Sequence, residues 1–284
     1  MSGSDPQPVK DDAEDPTGEN AGDESGADAA EALAANAAGA SVKDAAEDPQ
    51  AKRRIQIIDA LRGLAVMLMV IHHFLYDCVE FLDAPRWLFS NPVFDVLHYI
   101  FAGLFILLSG ISSRFSRGNI KRGIKVIVIA AAITLVTYYM DMLIMFGVLH
   151  LLGFSMLFFG ITRKLWDAIP KKAAPAIYIA GIVCGALATA RIPLKSEYIW
   201  IFGWTQPGFV SYDYFPLLPW IFVFLLGTWV GYYIKENKLP PHFYSYNVPV
   251  FPSVGRKALL IYVLHQPVLY AIVKIIGFWY TPHG

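Results

Sequence analysis

Residues 63–81 read GLAVMLMVIHHFLYDCVEF, an apolar run with two adjacent histidines and, four residues after the second, an aspartate. A run of this length is enough for one helix across a hydrocarbon core about 30 Å thick. Imidazole and carboxylate groups are costly in such a core and usually face the interior of a helix bundle. The stretch therefore predicts a transmembrane helix whose polar groups do more than cross the bilayer.

The composition extends this reading to most of the chain. The 284 residues are 56% hydrophobic, and the mean hydropathy of +0.46 is too high for an ordinary soluble domain. We therefore predict an all-α, polytopic bundle of about seven spans, with six or eight also compatible, and a tight hairpin between the third and fourth. The apolar runs lie at 58–82, 93–113, 123–145, 147–163, 174–192, 214–234 and 256–280.

The first fifty residues differ sharply from the rest. They contain 13 acidic residues, two lysines and no aromatic residue. Such a segment cannot bury enough apolar surface to offset the entropy lost on ordering. We expect residues 1–52 to form a disordered, acidic cytoplasmic tail and residues 53–284 to form the transmembrane domain.

The charges between the spans predict the orientation. One alternating set of connections carries 16 lysine and arginine residues, and the opposite set carries only three. Cytoplasmic loops are enriched in these residues, so the N-terminus is expected in the cytoplasm and the C-terminus outside. The predicted location is the cell membrane, as a multi-pass protein.

The two histidines of the first span point in different directions on a helical projection. His73 shares a polar stripe with Asp77 and lies near mid-bilayer, whereas His72 lies about 100° away, off the edge of the stripe. Asp77 is one turn beyond His73, where a carboxylate can orient an imidazole and raise its basicity. We expect His73 and Asp77 to be functional, and the Asp59–Arg62 pair at i, i+3 to be structural.

Other predicted spans carry polar groups at similar depth. A single histidine in a span is usually a helix–helix contact, but several from different spans suggest one shared passage. The candidates for lining it are His98, His150, Asp213, His265 and Gln266.

The sequence contains no motif typical of a metal site, a nucleotide-binding loop or a nucleic-acid-binding surface. Neither HxH nor HxxxH occurs, so we expect no metal. No Walker A motif is present, and the basic residues are spread over short loops, so we expect no nucleic-acid binding.

Four stretches in order resemble the catalytic-domain family of heparan-α-glucosaminide N-acetyltransferase. They are RRIQIIDALRGLAVMLMVIHHFLYD (53–77), GVLHLLGFSML (147–157), SYDYFPLLPWIFVFLLGTWVGYY (211–233) and GRKALLIYVLHQPVLY (255–270). The resemblance implies a membrane acyltransferase that takes acetyl-CoA from the cytosol and acetylates an acceptor on the other side. In the eukaryotic member an asparagine matches His73 and a histidine lies in the first outer loop, which here has none; His98 is the nearest candidate.

The resulting hypothesis is acyl transfer with a histidine as general base. Acetyl-CoA is the expected co-substrate, with no permanently bound cofactor. The expected partners are the lipid bilayer, acyl-CoA and a glycan or small-molecule acceptor, and a homo-oligomer is left open. A proton-coupled transporter or flippase, and a non-catalytic partner of envelope assembly, are the alternatives. In the enzyme reading His73 is the base, Asp77 orients it, Arg62 and Arg122 bind CoA phosphates, and His98, His150, Asp213, His265 and Gln266 line the passage or the acceptor pocket.

Overall fold

The structure, a computed structural model, describes residues 55–194, 198–245 and 249–280. These residues belong to one unit of the chain, which begins at Ile55. The predicted acidic tail, 1–52, lies outside the described residues, and so do Lys195 and the last four residues.

The described residues fold into helices joined by irregular connections and 3₁₀ turns, which confirms the predicted all-α polytopic bundle. Their extended pairing is limited to one isolated bridge between Phe146 and Tyr214. The helices are α1 (Gln56–Phe81), α2 (Pro92–Phe115), α3 (Asn119–Tyr139), α4 (Val148–Ala168), α5 (Ala174–Arg191), α6 (Leu217–Lys235), α7 (Pro241–Ser245), α8 (Phe251–Arg256) and α9 (Ala258–Tyr280), with 3₁₀ turns at Arg86–Leu88 and Trp200–Phe202.

Six helices in the described part of the chain are long and apolar enough to cross a membrane. They are α1, α2, α4, α5, α6 and α9. The predicted third span corresponds to α3, which has 21 residues but carries Lys121, Arg122 and Lys125 in its first two turns. The predicted sidedness of the bundle remains an inference from the loop charges.

The connection between α3 and α4 is longer than the tight hairpin predicted from the sequence. Helix α3 ends at Tyr139, and residues 140–147 form an irregular segment before α4. Two threonines of α3 bind this segment: Thr134 Oγ1 donates to the Ile144 carbonyl at 2.6 Å, and Thr137 Oγ1 accepts from the Ile144 N–H at 3.2 Å. These contacts satisfy both backbone groups of Ile144, so this residue needs no helical hydrogen bond.

Glycines set the closest helix contacts. At the α2–α6 crossing, a Cβ on Gly110 would collide with the Phe224 carbonyl oxygen and lie 3.1 Å from Gly227 Cα. At the α1–α8 crossing, a Cβ on Gly255 would collide with the Asp59 carbonyl oxygen. Small residues allow such close backbone approach between membrane helices, where apolar side chains gain little by leaving lipid.

The packing order places α2 and α6 at the centre of the bundle. Helix α4 contacts both of them, α3 packs on α4, and α5 packs on α6. Helix α1 packs on α2 from the other side, and α8 and α9 pack on α1. The polar residues of α1, α2 and α9 are thereby brought to one place.

Candidate functional site

A small cavity lies where α1, α2 and α9 meet the two loops that lead into α4 and α6. Its volume is about 30 Å³, room for about two water molecules. Most of its wall is apolar, from residues such as Val66, Phe105 and Phe215. Its polar groups are His72, His73, His98, Asp213 and Tyr262.

Four imidazoles form a continuous row beside this cavity. The ring centroids of His98 and His72 are 4.6 Å apart, those of His72 and His73 are 5.9 Å apart, and those of His73 and His265 are 4.9 Å apart. We call these four residues the imidazole row. The row corrects the expectation that His72 lies off the site, because α2 reaches His72 while α9 reaches His73.

The crossing of α1 and α8 explains why His73 meets His265. Gly63 and Gly255 are in contact at that crossing, since a Cβ on Gly63 would lie 3.0 Å from Gly255 N. Each histidine is ten residues further along the chain, so each lies about 15 Å from the crossing at 1.5 Å per residue. The equal spacing agrees with the observed contact between the two rings, whose centroids are 4.9 Å apart.

Asp77 has a different partner from the one predicted. Its side chain is fully buried, and both of its oxygens accept from Gln266 Nε2, at 3.0 Å and 3.3 Å. It makes no hydrogen bond to His73 among the described contacts, because the Gln266 amide on α9 is the donor to both carboxylate oxygens. Asp77 therefore links α1 to α9, and the expected direct orientation of His73 by Asp77 is wrong.

His265 is held in one orientation by the backbone of its own helix. Its Nδ1 lies 2.6 Å from the carbonyl oxygen of Tyr262, so Nδ1 carries the proton and donates it. Nε2 is then the ring atom with the lone pair. This atom is buried without a hydrogen-bond partner, and so is Gln266 Oε1. Buried polar atoms without partners are rare and favour a functional role over simple packing.

Asp213 joins α4, α9 and the loop before α6. One of its oxygens, Oδ2, accepts from the Val148 N–H at 3.0 Å and from the Tyr262 hydroxyl at 3.1 Å. Burial raises the pKa of the Asp213 carboxyl above its ordinary value of 3.8, although both hydrogen bonds act in the opposite direction. Asp213 thus closes one wall of the cavity and anchors the first turn of α4. Tyr262, which sequence reasoning missed, lies one turn before His265 and Gln266.

His150 is not part of the cavity wall. Its Nε2 lies 3.3 Å from Thr134 Oγ1, and its ring stacks on Phe146 at a centroid distance of 5.6 Å. The residue of α4 that reaches the cavity is Val148. His150 therefore contributes to the packing of α3 on α4 in this structure, and its predicted place in the passage is not observed.

The two arginines predicted to bind CoA phosphates lie at the other end of the bundle. Arg62 donates to Asp59 Oδ1 at 2.8 Å and to Ser112 Oγ, which ties α1 to α2. Arg122 is exposed in the first turn of α3. The expected Asp59–Arg62 pair is therefore present, and Arg122 is the more accessible cation of the two.

A second polar cluster, at the same end as these arginines, was not predicted. Arg114 is buried and pairs with Asp167 at 2.6 Å. The Arg114 guanidinium and the ammonium groups of Lys171 and Lys238 lie 5.1–5.4 Å from the ring centroid of Tyr232. We call these five residues the basic–aromatic cluster. Its three cations against one carboxylate leave positive charge for an anion. The sequence shows that the loops are rich in basic residues, which could have suggested such a cluster. It does not show that Arg114, Lys171 and Lys238, from different parts of the chain, meet around one tyrosine.

The described residues contain no group of three or more His, Cys, Asp or Glu side chains arranged to hold a metal ion.

No curated protein and no solved structure matches the chain. Residues 54–267 match the sequence profile of the family described as heparan-alpha-glucosaminide N-acetyltransferase, catalytic. With three quarters of its length inside that match, and with a helix bundle built to cross a membrane, the chain belongs to this family of membrane acetyltransferases.

Proposed function

We propose that this protein transfers an acetyl group from cytosolic acetyl-CoA to an amine or hydroxyl acceptor on the opposite side of the membrane, with His73 as general base. The observation that carries the proposal is the position of His73. It lines a cavity inside the bundle, about 15 Å along α1 from the Gly63 crossing. The proposal requires a donor to reach this depth from one side and an acceptor to reach it from the other.

The chemistry needs one base near the acceptor. The acceptor nitrogen or oxygen attacks the thioester carbonyl, a new bond to the acetyl carbon forms, and the carbon–sulfur bond breaks. His73 takes the proton that the acceptor loses, and CoA leaves as a thiolate that takes a proton from water on its own side. Histidine suits this role because its pKa in water lies near the operating pH.

The donor's phosphates are proposed to bind at the basic end of the bundle. Arg62 and Arg122 were expected there, and the cation excess of the basic–aromatic cluster supports the same end. Arginine suits phosphate because its planar donors match the phosphate oxygens. Arg114 lies nine residues from Phe105 of the cavity wall, about 14 Å along α2. The donor therefore needs an extended arm between its phosphates and its thioester, which acyl-CoA has.

The imidazole row also favours a second candidate, a proton-coupled transporter or flippase. Ionisable groups that follow one another between helices are common in proton relays. The two candidates differ in their need for CoA. Saturable binding of CoA to the purified protein supports the transferase, whereas its absence together with proton-driven uptake supports the transporter.

The direct test is a labelling experiment on membranes that contain the protein. Acetyl-CoA labelled in the acetyl group is added to the cytosolic face, and the envelope glycans and small molecules are separated and counted. Label in an acceptor that depends on the protein supports the proposal and identifies the acceptor. Label that appears equally in membranes without the protein contradicts it.

A further inference from the structure

We propose that the imidazole row is the exit path for the acceptor's proton, which passes from His73 through His72 to His98 and leaves at the end of the bundle opposite the basic loops. This inference rests on the proposed function, because it concerns the proton that acyl transfer releases. It assigns a role to His72 and His98 that is separate from binding the acceptor.

The spacing of the rings supports transfer along the row. The centroids are 4.6–5.9 Å apart over three consecutive steps, and the rings come from α1, α2 and α9. A neutral imidazole carries one N–H and one lone pair, so it can accept a proton at one nitrogen and release another from the second. The adjoining cavity has room for about two waters, which can bridge the wider His72–His73 step.

The row is closed at His265 and open at His98. Nδ1 of His265 is bound to the Tyr262 carbonyl, and Nε2 is its remaining free nitrogen, so His265 can receive a proton from His73 but cannot pass it further. His98 lies in the second turn of α2, one turn after the exposed Asp95. A proton that leaves His73 therefore has one productive direction.

The other ionisable groups near the row do not offer a competing exit. Asp77 is fully buried on Gln266, and Asp213 accepts from Val148 and Tyr262. The Phe89 ring packs against His72 at a centroid distance of 4.8 Å and an interplanar angle of 51°, so an apolar group lies on that side of His72. This arrangement leaves His98 and Asp95 as the outlet.

The proton balance follows from the reaction. His73 gains the acceptor's proton on one side, and the CoA thiolate gains a proton from water on the basic side. The path must empty His73 before the next turnover, since a protonated imidazole cannot act as a base. Blocking the path should therefore slow turnover without weakening the binding of either substrate.

The test uses the full-length protein in proteoliposomes, with labelled acetyl-CoA as donor and glucosamine as the probe acceptor. For His98→Gln we expect kcat to fall roughly 10- to 100-fold, with KM for both substrates unchanged, and added imidazole to restore turnover. His72→Gln should behave in the same way. His242→Gln, at an exposed histidine of α7, is the matched control and should keep wild-type kcat.

The outcomes separate the two proposals. If the wild-type protein transfers label but His98→Gln and His72→Gln keep its kcat, or lose it without rescue by imidazole while their thermal unfolding is unchanged, the exit path is wrong and acyl transfer stands. If either variant unfolds, the other decides by the same criteria, and the asparagine variant of the same residue, His98→Asn or His72→Asn, replaces the unfolded one. If the wild-type protein transfers no label to glucosamine or to any envelope component, the proposed function fails and the path fails with it.

Discussion

Gln266 Nε2 lies 3.0 Å from Asp77 Oδ1 and 3.3 Å from Oδ2, and this contact joins α1 to α9 through two residues that are 189 positions apart in the chain. The contact holds α9 against α1 one turn beyond the level at which His73 meets His265. Asp77 therefore positions the imidazole row through the packing of helices rather than through a bond to the base.

Removing the amide should destabilise the bundle. Gln266→Leu leaves the buried Asp77 carboxyl without its donor, and a buried polar group that loses its partner costs about 1–3 kcal/mol. Thermal unfolding in detergent should show a lower Tm for this variant. Gln56→Leu, at the exposed start of α1, makes the same chemical change and should leave Tm near the wild-type value. Equal Tm values for all three proteins would contradict the role given to the contact.

The α2–α6 crossing should not tolerate a methyl group. In Gly110→Ala the new Cβ meets the Phe224 carbonyl oxygen, and backbone cannot move aside as a flexible side chain can. We expect the free energy of unfolding to fall by about 1–3 kcal/mol, as at other overpacked sites. The variant should therefore show a lower Tm and a lower yield of folded protein. Gly118→Ala is the control, because nothing lies within 4 Å of the added Cβ there. A Gly110→Ala protein as stable as Gly118→Ala would mean that the two helices are further apart than described.

Asp213 should make stability depend on pH in a defined direction. Its pKa is raised by burial, so the folded state holds the carboxyl proton more tightly than the unfolded state does. The resulting stabilisation is fully present below the unfolded pKa of 3.8 and is lost as pH rises through the higher folded value. Relative to Asp213→Asn, which does not titrate, the wild-type Tm should fall as the pH rises above about 4. A wild-type Tm that stays constant or rises relative to that of Asp213→Asn as the pH increases would contradict the assignment.

Arg122 offers a test of where the donor binds. If this exposed arginine contacts a CoA phosphate, Arg122→Gln should raise KM for acetyl-CoA about 5- to 20-fold and leave kcat unchanged, since a lost charged contact costs roughly 1–2 kcal/mol. The effect should shrink as salt is added, because salt screens exposed charges. Arg86→Gln removes an exposed arginine at the opposite end and should not change KM. If Arg122→Gln and Arg86→Gln have the same KM for acetyl-CoA, Arg122 does not contact a CoA phosphate.

The helix content and much of the site could be predicted from the sequence. The seven apolar runs lie within six residues of the ends of α1–α6 and α9, because span length is set by bilayer thickness, whereas the short α7 and α8 were not predicted. Depth could be counted as well: His73 and His265 were each placed near mid-bilayer, and they do meet at the same level. The Asp59–Arg62 pair followed from i, i+3 spacing within one helix.

Contacts between helices could not be predicted in the same way. The projection of α1 assigned one polar face to the helix, but α2 and α9 approach it from two sides, so His72 and His73 both face partners. Asp77 was paired with the nearest imidazole along the chain, whereas its donor comes from α9. His150 lies at a suitable depth, but α4 turns it toward Thr134 on α3. The direction of a side chain depends on the rotation of its helix, and sequence spacing alone does not give that rotation.

Acetyl transfer by a His73→Ala variant in proteoliposomes tests the central claim most directly. With labelled acetyl-CoA on the basic side and the acceptor found by labelling on the other, kcat should fall by about 10²- to 10⁴-fold, as expected for the loss of a general base. His242→Ala should transfer label at the wild-type rate. Turnover by His73→Ala equal to that of the wild-type protein would contradict the claim that this imidazole takes the acceptor's proton.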